Sequence, residues 1–154
     1  ESGPVHAEMR VNAQGVWLLE IAARSIGGLC GRMLRHALGM SLEELILRDA
    51  LNLPLPEVRQ REANGVMMIP VPGHGIFHGV RALADALAVA GIGDIQITVS
   101  PGQLIAPPPE GASYLGFIFA HGTSPEAVES SLREAHALLK LDIQAAVPVS
   151  AAQA

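Results

Sequence analysis

The segment His6–Gly28 constrains the fold most, because it reads as two short strands joined by a tight turn and then interrupted by glycines. In VHAEMRV, apolar residues alternate with His6, Glu8 and Arg10, as in a strand with one polar face. A second strand follows in VWLLEI, after the turn residues NAQG. The segment therefore predicts a β-hairpin whose second strand ends at SIGG.

Gly15 determines the predicted register of this hairpin. A glycine at this position suits the left-handed residue that closes a three-residue loop. With that loop Glu8 lies opposite Glu20, whereas a two-residue loop would place Glu8 opposite Leu19. We expect the three-residue loop, and with it a pair of opposed glutamates.

The composition limits the classes of protein to consider. The chain has 154 residues, of which 49% are hydrophobic and 16% charged, so about one domain with a well-formed core is expected. A net charge of −5 without a basic cluster argues against nucleic acid as a partner. No apolar stretch approaches the roughly 18 residues that span a bilayer. The single cysteine, Cys30, fits the reducing cytoplasm and most simply fills a buried position.

Strand-like and helix-like segments alternate along the rest of the chain, which predicts an α+β fold with a mostly antiparallel sheet and flanking helices. The predicted helices are LCGRMLRHAL, a helix capped by Ser41 and Glu44, VRALADALAVAG, and SPEAVESSLREAHALLKL, for which Thr123 and Glu126 offer a capping box. The predicted strands are GVMMIPV, DIQITVS and SYLGFIFAHG, with a glycine- and histidine-bearing loop at PGHGIFHG.

Opposed glutamates need a compensating partner. Their Cβ atoms would lie about 4.5–5.5 Å apart, where like charges destabilise a sheet. Water, a shared proton or a cation could compensate, and Mg²⁺ prefers carboxylate oxygens together with water and phosphate. The alternative is a solvated polar face in which Arg10 pairs with one glutamate.

Arg24 follows Glu20 by four residues, where the strand gives way to glycines and a predicted helix. Exposed N–H groups at a helix start bind anions, and an arginine binds a carboxylate or phosphate through two hydrogen bonds. Two carboxylates, an arginine and glycines together favour a site that stabilises phosphoryl transfer. A plain turn is the alternative for the glycines alone.

His74 and His78 lie four residues apart and could be metal ligands, but the sequence offers no third ligand at the spacing of a zinc site. A contact with substrate, or a purely structural loop, is the alternative. The chain contains no phosphate-binding Walker loop and no dinucleotide fingerprint.

In HAE, EIAARSIGG and the segments that follow, the chain resembles the C-terminal part of ATP-grasp enzymes, most closely the carboxylate–amine ligases that include the L-amino acid ligases. The family pattern is E-[IV]-N-x-R-x-G-G. From GVMMIPV onward the chain is similar to the small C-terminal lobe of these ligases, which is related to that of biotin carboxylases and phosphoribosylglycinamide synthetases. The family's asparagine is replaced by Ala22 here, so one contact to metal or phosphate is missing.

The resemblance implies specific residue roles. Glu8 and Glu20 would be the Mg²⁺ (or Mn²⁺) ligands that hold the cation against the ATP phosphates. Arg24 would be catalytic and steady the acyl phosphate and its developing charge. Gly27 and Gly28 would let the backbone approach the carboxylate substrate.

The resemblance also implies where the domains of the chain begin and end and what the whole enzyme does. Residues 1–52 would end the ATP-grasp catalytic domain, residues 53–143 would form the small C-terminal lobe, and residues 144–154 a flexible tail. The enzyme would join a small carboxylate to an amine through an acyl phosphate, together with N-terminal ATP-grasp domains of the same polypeptide, and the isolated chain would be inactive. A homodimer is a further expectation. Alternatives are a fragment of a biotin-carboxylase-like or phosphoribosylglycinamide-synthetase-like enzyme, or a non-catalytic interaction or lid module.

Overall fold

The computed structural model describes residues 3–55, 57, 62–111 and 114–145. The chain divides into two compact units, residues 1–61 and 62–154, which we call unit one and unit two. Every strand pair in the described ranges is antiparallel. Together with the helices, this confirms the predicted α+β class. The functional division after residue 52 stays a prediction.

Unit one consists of a hairpin followed by short helices. Its elements are β1 (His6–Asn12), β2 (Gly15–Ala22), a 3₁₀ turn (Cys30–Arg32), α1 (Met33–Leu38) and α2 (Leu42–Ala50). The 3₁₀ turn occupies the first residues of the predicted helix LCGRMLRHAL, so the α-helix begins only at Met33. None of the described side chains of this unit is fully buried.

Ser41 is the N-cap of α2, as predicted. Its Oγ accepts a hydrogen bond from the backbone N–H of Glu44 at 3.1 Å, which satisfies one of the free amides of the first turn. The Glu44 carboxylate does not complete the reciprocal box, because it accepts from Arg48 Nε at 3.0 Å, one turn later.

Unit two contains two three-stranded sheets and two helices. Its elements are β3 (Ala63–Ile69), β4 (Gly75–Arg81), α3 (Leu83–Leu87), β5 (Ile92–Ile97), β6 (Leu104–Ile105), β7 (Gly116–Gly122), α4 (Pro125–Leu138) and β8 (Lys140–Ala145). One sheet has the order β3-β7-β5 and the other β6-β4-β8. In the described part of the chain, no helix is long and apolar enough to cross a membrane.

The hydrophobic core of the described residues lies in unit two. Helix α4 buries Val128, Leu132 and Ala135, three members of the stripe that its 3.6-residue periodicity predicts. Leu139, the fourth, is partly buried against the same core. Pro125 occupies the first turn of α4. Backbone N–H groups in the first turn have no acceptor within the helix, so the N–H that proline lacks costs no hydrogen bond there.

The segment PGHGIFHG is a loop only in its first three residues, because from Gly75 onward it belongs to the central strand β4. Its glycines indicated a turn, but Gly75 is needed for close packing: a Cβ there would collide with the backbone oxygen of Gln144 in β8. Phe77 of the same strand is 1% exposed. The prediction failed because the contact that requires glycine at residue 75 is made with β8, about 70 residues later in the sequence.

Three other boundaries differ from prediction. Helix α3 covers only Leu83–Leu87, because a turn closed by Gly91 (φ +85°) leads directly into β5. The cap of α4 is Ser124, whose Oγ accepts from Ala127 N at 3.2 Å, rather than Thr123. Strand β8 extends through residue 145, so the predicted tail 144–154 is wrong at its start, and residues 146–154 lie outside the described residues.

Candidate functional site

The hairpin of unit one places Glu8 directly opposite Glu20, as predicted. The loop that produces this register is different, because Asn12 pairs with Gly15 and only Ala13 and Gln14 form the turn. The Asn12 side chain accepts a hydrogen bond from Gln14 N–H at 2.8 Å and stabilises the turn. The predicted three-residue loop is therefore wrong.

A β-bulge at Leu19 restores the pairing of the two glutamates. Met9 lies opposite Leu18, whereas the preceding residue Glu8 lies opposite Glu20, so one residue of β2 is left without a partner. A bulge turns side chains beyond it to a new face. Here it brings Glu20 onto the same face as Glu8, although the short turn alone would have placed Leu19 there.

The second face of the hairpin is apolar and exposed. Alternation in β1 and the register with β2 place there Ala7, Met9, Val11, Val16, Leu18 and Ile21. Met9, Leu18 and Ile21 are each 55–63% exposed. A two-stranded sheet that packs only on itself is marginally stable in water, so this face is suited to cover by further protein.

Each glutamate has one nitrogen-bearing neighbour at the same distance. Arg24 Nη2 lies 3.9 Å from Glu20 Oε1, and His6 Nε2 lies 3.9 Å from Glu8 Oε1. Both glutamate side chains are just over half exposed. Since 3.9 Å is beyond hydrogen-bond distance, neither carboxylate is tightly paired, and their oxygens remain accessible to a ligand.

Arg24 lies at the end of the hairpin, where its position is fixed by its own backbone. Its N–H donates to Ala22 O at 2.9 Å, and its guanidinium donates to Ser25 O at 3.1 Å. About half of the side chain is exposed. The structure thus brings Glu8, Glu20 and Arg24 to one end of the hairpin.

Gly27 and Gly28 follow this cluster along the chain and precede the 3₁₀ turn. Gly28 has a positive φ of +64°, a conformation that favours glycine. A Cβ built on Gly27 would meet no atom within 4 Å. Open space beside its backbone is compatible with close approach of a ligand, and substrate binding by the two glycines stays a prediction.

The donor set of the hairpin fits a hard divalent cation whose other ligands are water and phosphate. Two carboxylates share one face, and Ala22 adds no side-chain oxygen to them. Among the described residues, no group of three or more His, Cys, Asp and Glu side chains is placed to hold a metal ion. The chemistry therefore suits Mg²⁺ bound jointly with a phosphate ligand, and does not suit a closed site of the zinc type.

The predicted histidine loop has a different structure. His78 is the bulged residue of β4, between Phe77, which pairs with Ile143, and Gly79, which pairs with Asp142. Its Nε2 lies 3.1 Å from Gln144 Oε1 on β8. His78 thus forms a cross-strand hydrogen bond on an exposed face, while His74 is exposed in the segment before β4.

The alternation of β1 had placed His6 on the same face as Glu8, and the structure brings His6 Nε2 to 3.9 Å from Glu8 Oε1. A second pair of residues was missed in the sequence. Arg81 and Lys140 lie directly opposite each other in β4 and β8. The second pair could be found only once β4 was assigned as a strand.

Comparison with known proteins gives one family and several solved structures. The family model of L-amino acid ligase C-terminal domain 2 matches residues 67–144, about half of the chain. The crystal structure of L-amino acid ligase from Bacillus licheniformis superposes with a TM-score of 0.76 at 27% sequence identity, covering 92% of this chain and 36% of that one. No curated protein matches the chain by sequence.

Two further solved structures share the fold at lower identity. N5-carboxyaminoimidazole ribonucleotide synthetase from Thermotoga maritima superposes with a TM-score of 0.65 at 19% identity. The superposition covers 92% of this chain and 38% of the synthetase chain. Phosphoribosylglycinamide synthetase from Anaerococcus prevotii has a TM-score of 0.65 at 15% identity, with coverages of 91% and 37%. The chain spans little more than a third of the length of these three proteins.

Proposed function

Because this chain belongs to the family of L-amino acid ligase C-terminal domains, we propose that it is the C-terminal part of an ATP- and Mg²⁺-dependent carboxylate–amine ligase. Residues 1–52 would end the catalytic ATP-grasp domain and residues 53–143 would form the small lobe. The observation that supports this most directly is the register of Glu8 against Glu20 on one accessible face.

In this proposal Glu8 and Glu20 hold Mg²⁺ (or Mn²⁺) against the phosphates of ATP. The cation, when bound, neutralises phosphate charge and holds the transferring group in place. Arg24 supplies a second positive charge at the same end of the hairpin, 3.9 Å from Glu20, and binds the phosphoryl or carboxylate oxygens. Gly27 leaves room for the carboxylate substrate beside its backbone, and Gly28 would bind the same substrate.

The reaction proposed for the whole enzyme has two steps. A carboxylate oxygen of the acid attacks the γ-phosphorus of ATP, which forms an acyl phosphate and releases ADP. The amine nitrogen then attacks the acyl carbon, and the C–O bond to phosphate breaks as phosphate leaves with its electron pair and the nitrogen loses a proton. Arg24 would stabilise the negative charge on the phosphoryl oxygens in both steps.

The partners proposed for this chain are N-terminal ATP-grasp domains of the same polypeptide, with a small acid and an amine as substrates. The exposed apolar face of the hairpin would contact those domains, since burial of its aliphatic side chains is favourable. The isolated chain would be inactive, because it spans about a third of the related ligase. The single cysteine favours the cytoplasm.

The two synthetases of lower identity share the fold alone, so they do not favour a nucleotide precursor as substrate. A non-catalytic module remains the contrasting hypothesis. It predicts that the opposed glutamates are only a solvated face.

The test is calorimetric titration of Mg·ATP into the polypeptide that contains this chain. Glu20→Gln keeps the side-chain size but removes the charge, so we expect weaker Mg·ATP binding and a loss of ligase turnover of at least about 100-fold, in the range seen for lost transition-state contacts. Asp49→Asn, an exposed carboxylate at the end of α2, is the matched control and should change neither. Unchanged affinity and turnover in Glu20→Gln would contradict the metal assignment.

A further inference from the structure

We propose that His6 is a positioning residue for the Glu8 carboxylate, an inference that rests on the metal-binding role proposed for Glu8. The two side chains lie two residues apart on one face of β1. His6 Nε2 is 3.9 Å from Glu8 Oε1. The ring therefore flanks the carboxylate along the strand, while Glu20 lies across from it on β2.

The burial of His6 sets it apart from its neighbours on the hairpin. Its side chain is 21% exposed, whereas that of Glu8 is 54% exposed. The residue across from His6 is Ala22, whose small side chain leaves room for the ring. A ring held in a confined place beside an accessible carboxylate can restrict the rotamers of that carboxylate.

The two ring nitrogens have different surroundings. Nδ1 is buried and has no hydrogen-bond partner among the described residues, whereas Nε2 faces the Glu8 oxygen. A buried N–H without an acceptor is unfavourable, so the proton belongs on Nε2, where a carboxylate can accept it. In this tautomer the N–H of Nε2 lies on the side of the ring nearer Glu8 Oε1, 3.9 Å away, so a hydrogen bond forms once either side chain moves closer.

The arrangement is matched on the other strand. Arg24 lies at 3.9 Å from Glu20, as His6 does from Glu8. Each carboxylate thus has one oxygen within 4 Å of a nitrogen-bearing side chain. Groups that hydrogen-bond a metal ligand orient it, and their loss typically weakens metal binding 10- to 100-fold.

Two substitutions at residue 6 separate hydrogen-bond donation by His6 from simple packing of its ring. Leucine at residue 6 fills a similar space but donates no hydrogen bond, whereas glutamine places an N–H donor near the position of Nε2. If His6 acts through its donor, the two substitutions must differ. If the ring only fills space, leucine should be tolerated at least as well as glutamine.

The experiment measures Mn²⁺ affinity calorimetrically, in the presence of a non-hydrolysable ATP analogue, on the polypeptide that contains this chain. We expect His6→Leu to weaken Mn²⁺ binding about 10-fold or more, and His6→Gln to recover most of that loss. In kinetic assays His6→Leu should need more Mg²⁺ for half-maximal rate, with the KM of the carboxylate substrate unchanged.

Arg10→Leu is the matched control, because Arg10 lies on the same face, two residues to the other side of Glu8. Loss of a positive charge should leave Mn²⁺ affinity unchanged or raise it. Equal Mn²⁺ affinity in wild type and His6→Leu overturns the role of His6, as does equal loss in His6→Leu and His6→Gln. If Glu20→Gln also leaves Mn²⁺ affinity unchanged, the proposed function itself fails; if Glu20→Gln abolishes binding, only the inference about His6 fails.

Discussion

Gly65 of β3 lies against Val128 of α4, so closely that a Cβ on the glycine would be 2.6 Å from Val128 Cγ1 and 3.1 Å from Leu132 Cδ1. Both helix side chains belong to the buried core of unit two. The absence of a side chain at residue 65 therefore allows α4 to pack directly on the strand.

We expect Gly65→Ala to destabilise unit two by about 1–3 kcal/mol, because an added methyl group in a packed core forces neighbouring groups to move. Urea unfolding followed by far-UV circular dichroism measures the change, while Trp17, the single tryptophan, reports on unit one. Gly73→Ala is the control, since a Cβ there would meet nothing within 4 Å. Equal stability of the two variants would show that α4 shifts at little cost.

Ser124 rather than Thr123 should be the residue whose hydroxyl stabilises α4. Ser124 Oγ accepts a hydrogen bond from Ala127 N–H, so we expect Ser124→Ala to lower the free energy of unfolding by about 1 kcal/mol. Thermal unfolding of both alanine variants tests this assignment. Thr123→Ala should stay within about 0.5 kcal/mol of wild type, as for most surface substitutions. A larger loss in Thr123→Ala than in Ser124→Ala would restore the sequence-based cap.

Much of the candidate site could be predicted because its residues are close in sequence. Glu8, Glu20 and Arg24 belong to one hairpin and its exit, and the pairing of the glutamates was correct. The turn was not, since Gly15 is also compatible with a two-residue turn followed by a bulge at Leu19. The turn is one residue shorter than predicted, and the bulge adds one residue to β2, so the two differences cancel at Glu8 and Glu20. Local sequence does not distinguish this arrangement from a three-residue loop without a bulge.

The errors in the fold arose where distant contacts decide the structure. Gly75 looks like a turn residue in sequence, but it lies in a central strand because β8 approaches its backbone. The apolar stripe of helix α4 was predicted well, since it is a local signal, although its N-cap was assigned one residue too early. The resemblance to the C-terminal part of ATP-grasp ligases is confirmed by the family match and the solved structures.

The pH dependence of α4 follows from Glu126 in its first turn. A hydrogen bond with its own backbone, and then one with the Ser124 side chain, lower the pKa of this carboxyl from its ordinary value of 4.5. Because the folded-state pKa is lowered, the stabilisation is present above pH 4.5 and is lost as the pH falls through the folded pKa. Glu126→Gln should therefore be less stable than wild type at pH 7 and equal to it at low pH.

Melting temperatures measured from pH 7 to pH 3 test this expectation. The pH-dependent part of the difference should shrink in a Ser124→Ala background, because the Ser124 hydroxyl is one of its causes. A difference between wild type and Glu126→Gln that stays constant with pH would contradict the assignment.

Arg81 and Lys140 form a like-charge pair in register on β4 and β8, and both side chains are exposed. Directly opposed like charges destabilise a sheet, whereas opposite charges contribute about 0.2–1 kcal/mol. We therefore expect Lys140→Glu to raise the free energy of unfolding of unit two by about 0.2–1 kcal/mol. Lys140→Gln, which removes the repulsion without adding an attraction, should give a smaller gain. Both gains should diminish in 1 M salt, where the Debye length is about 3 Å. Urea unfolding at low and high salt measures them, and a gain in Lys140→Glu that salt does not reduce would show that the pair acts through packing and not through charge.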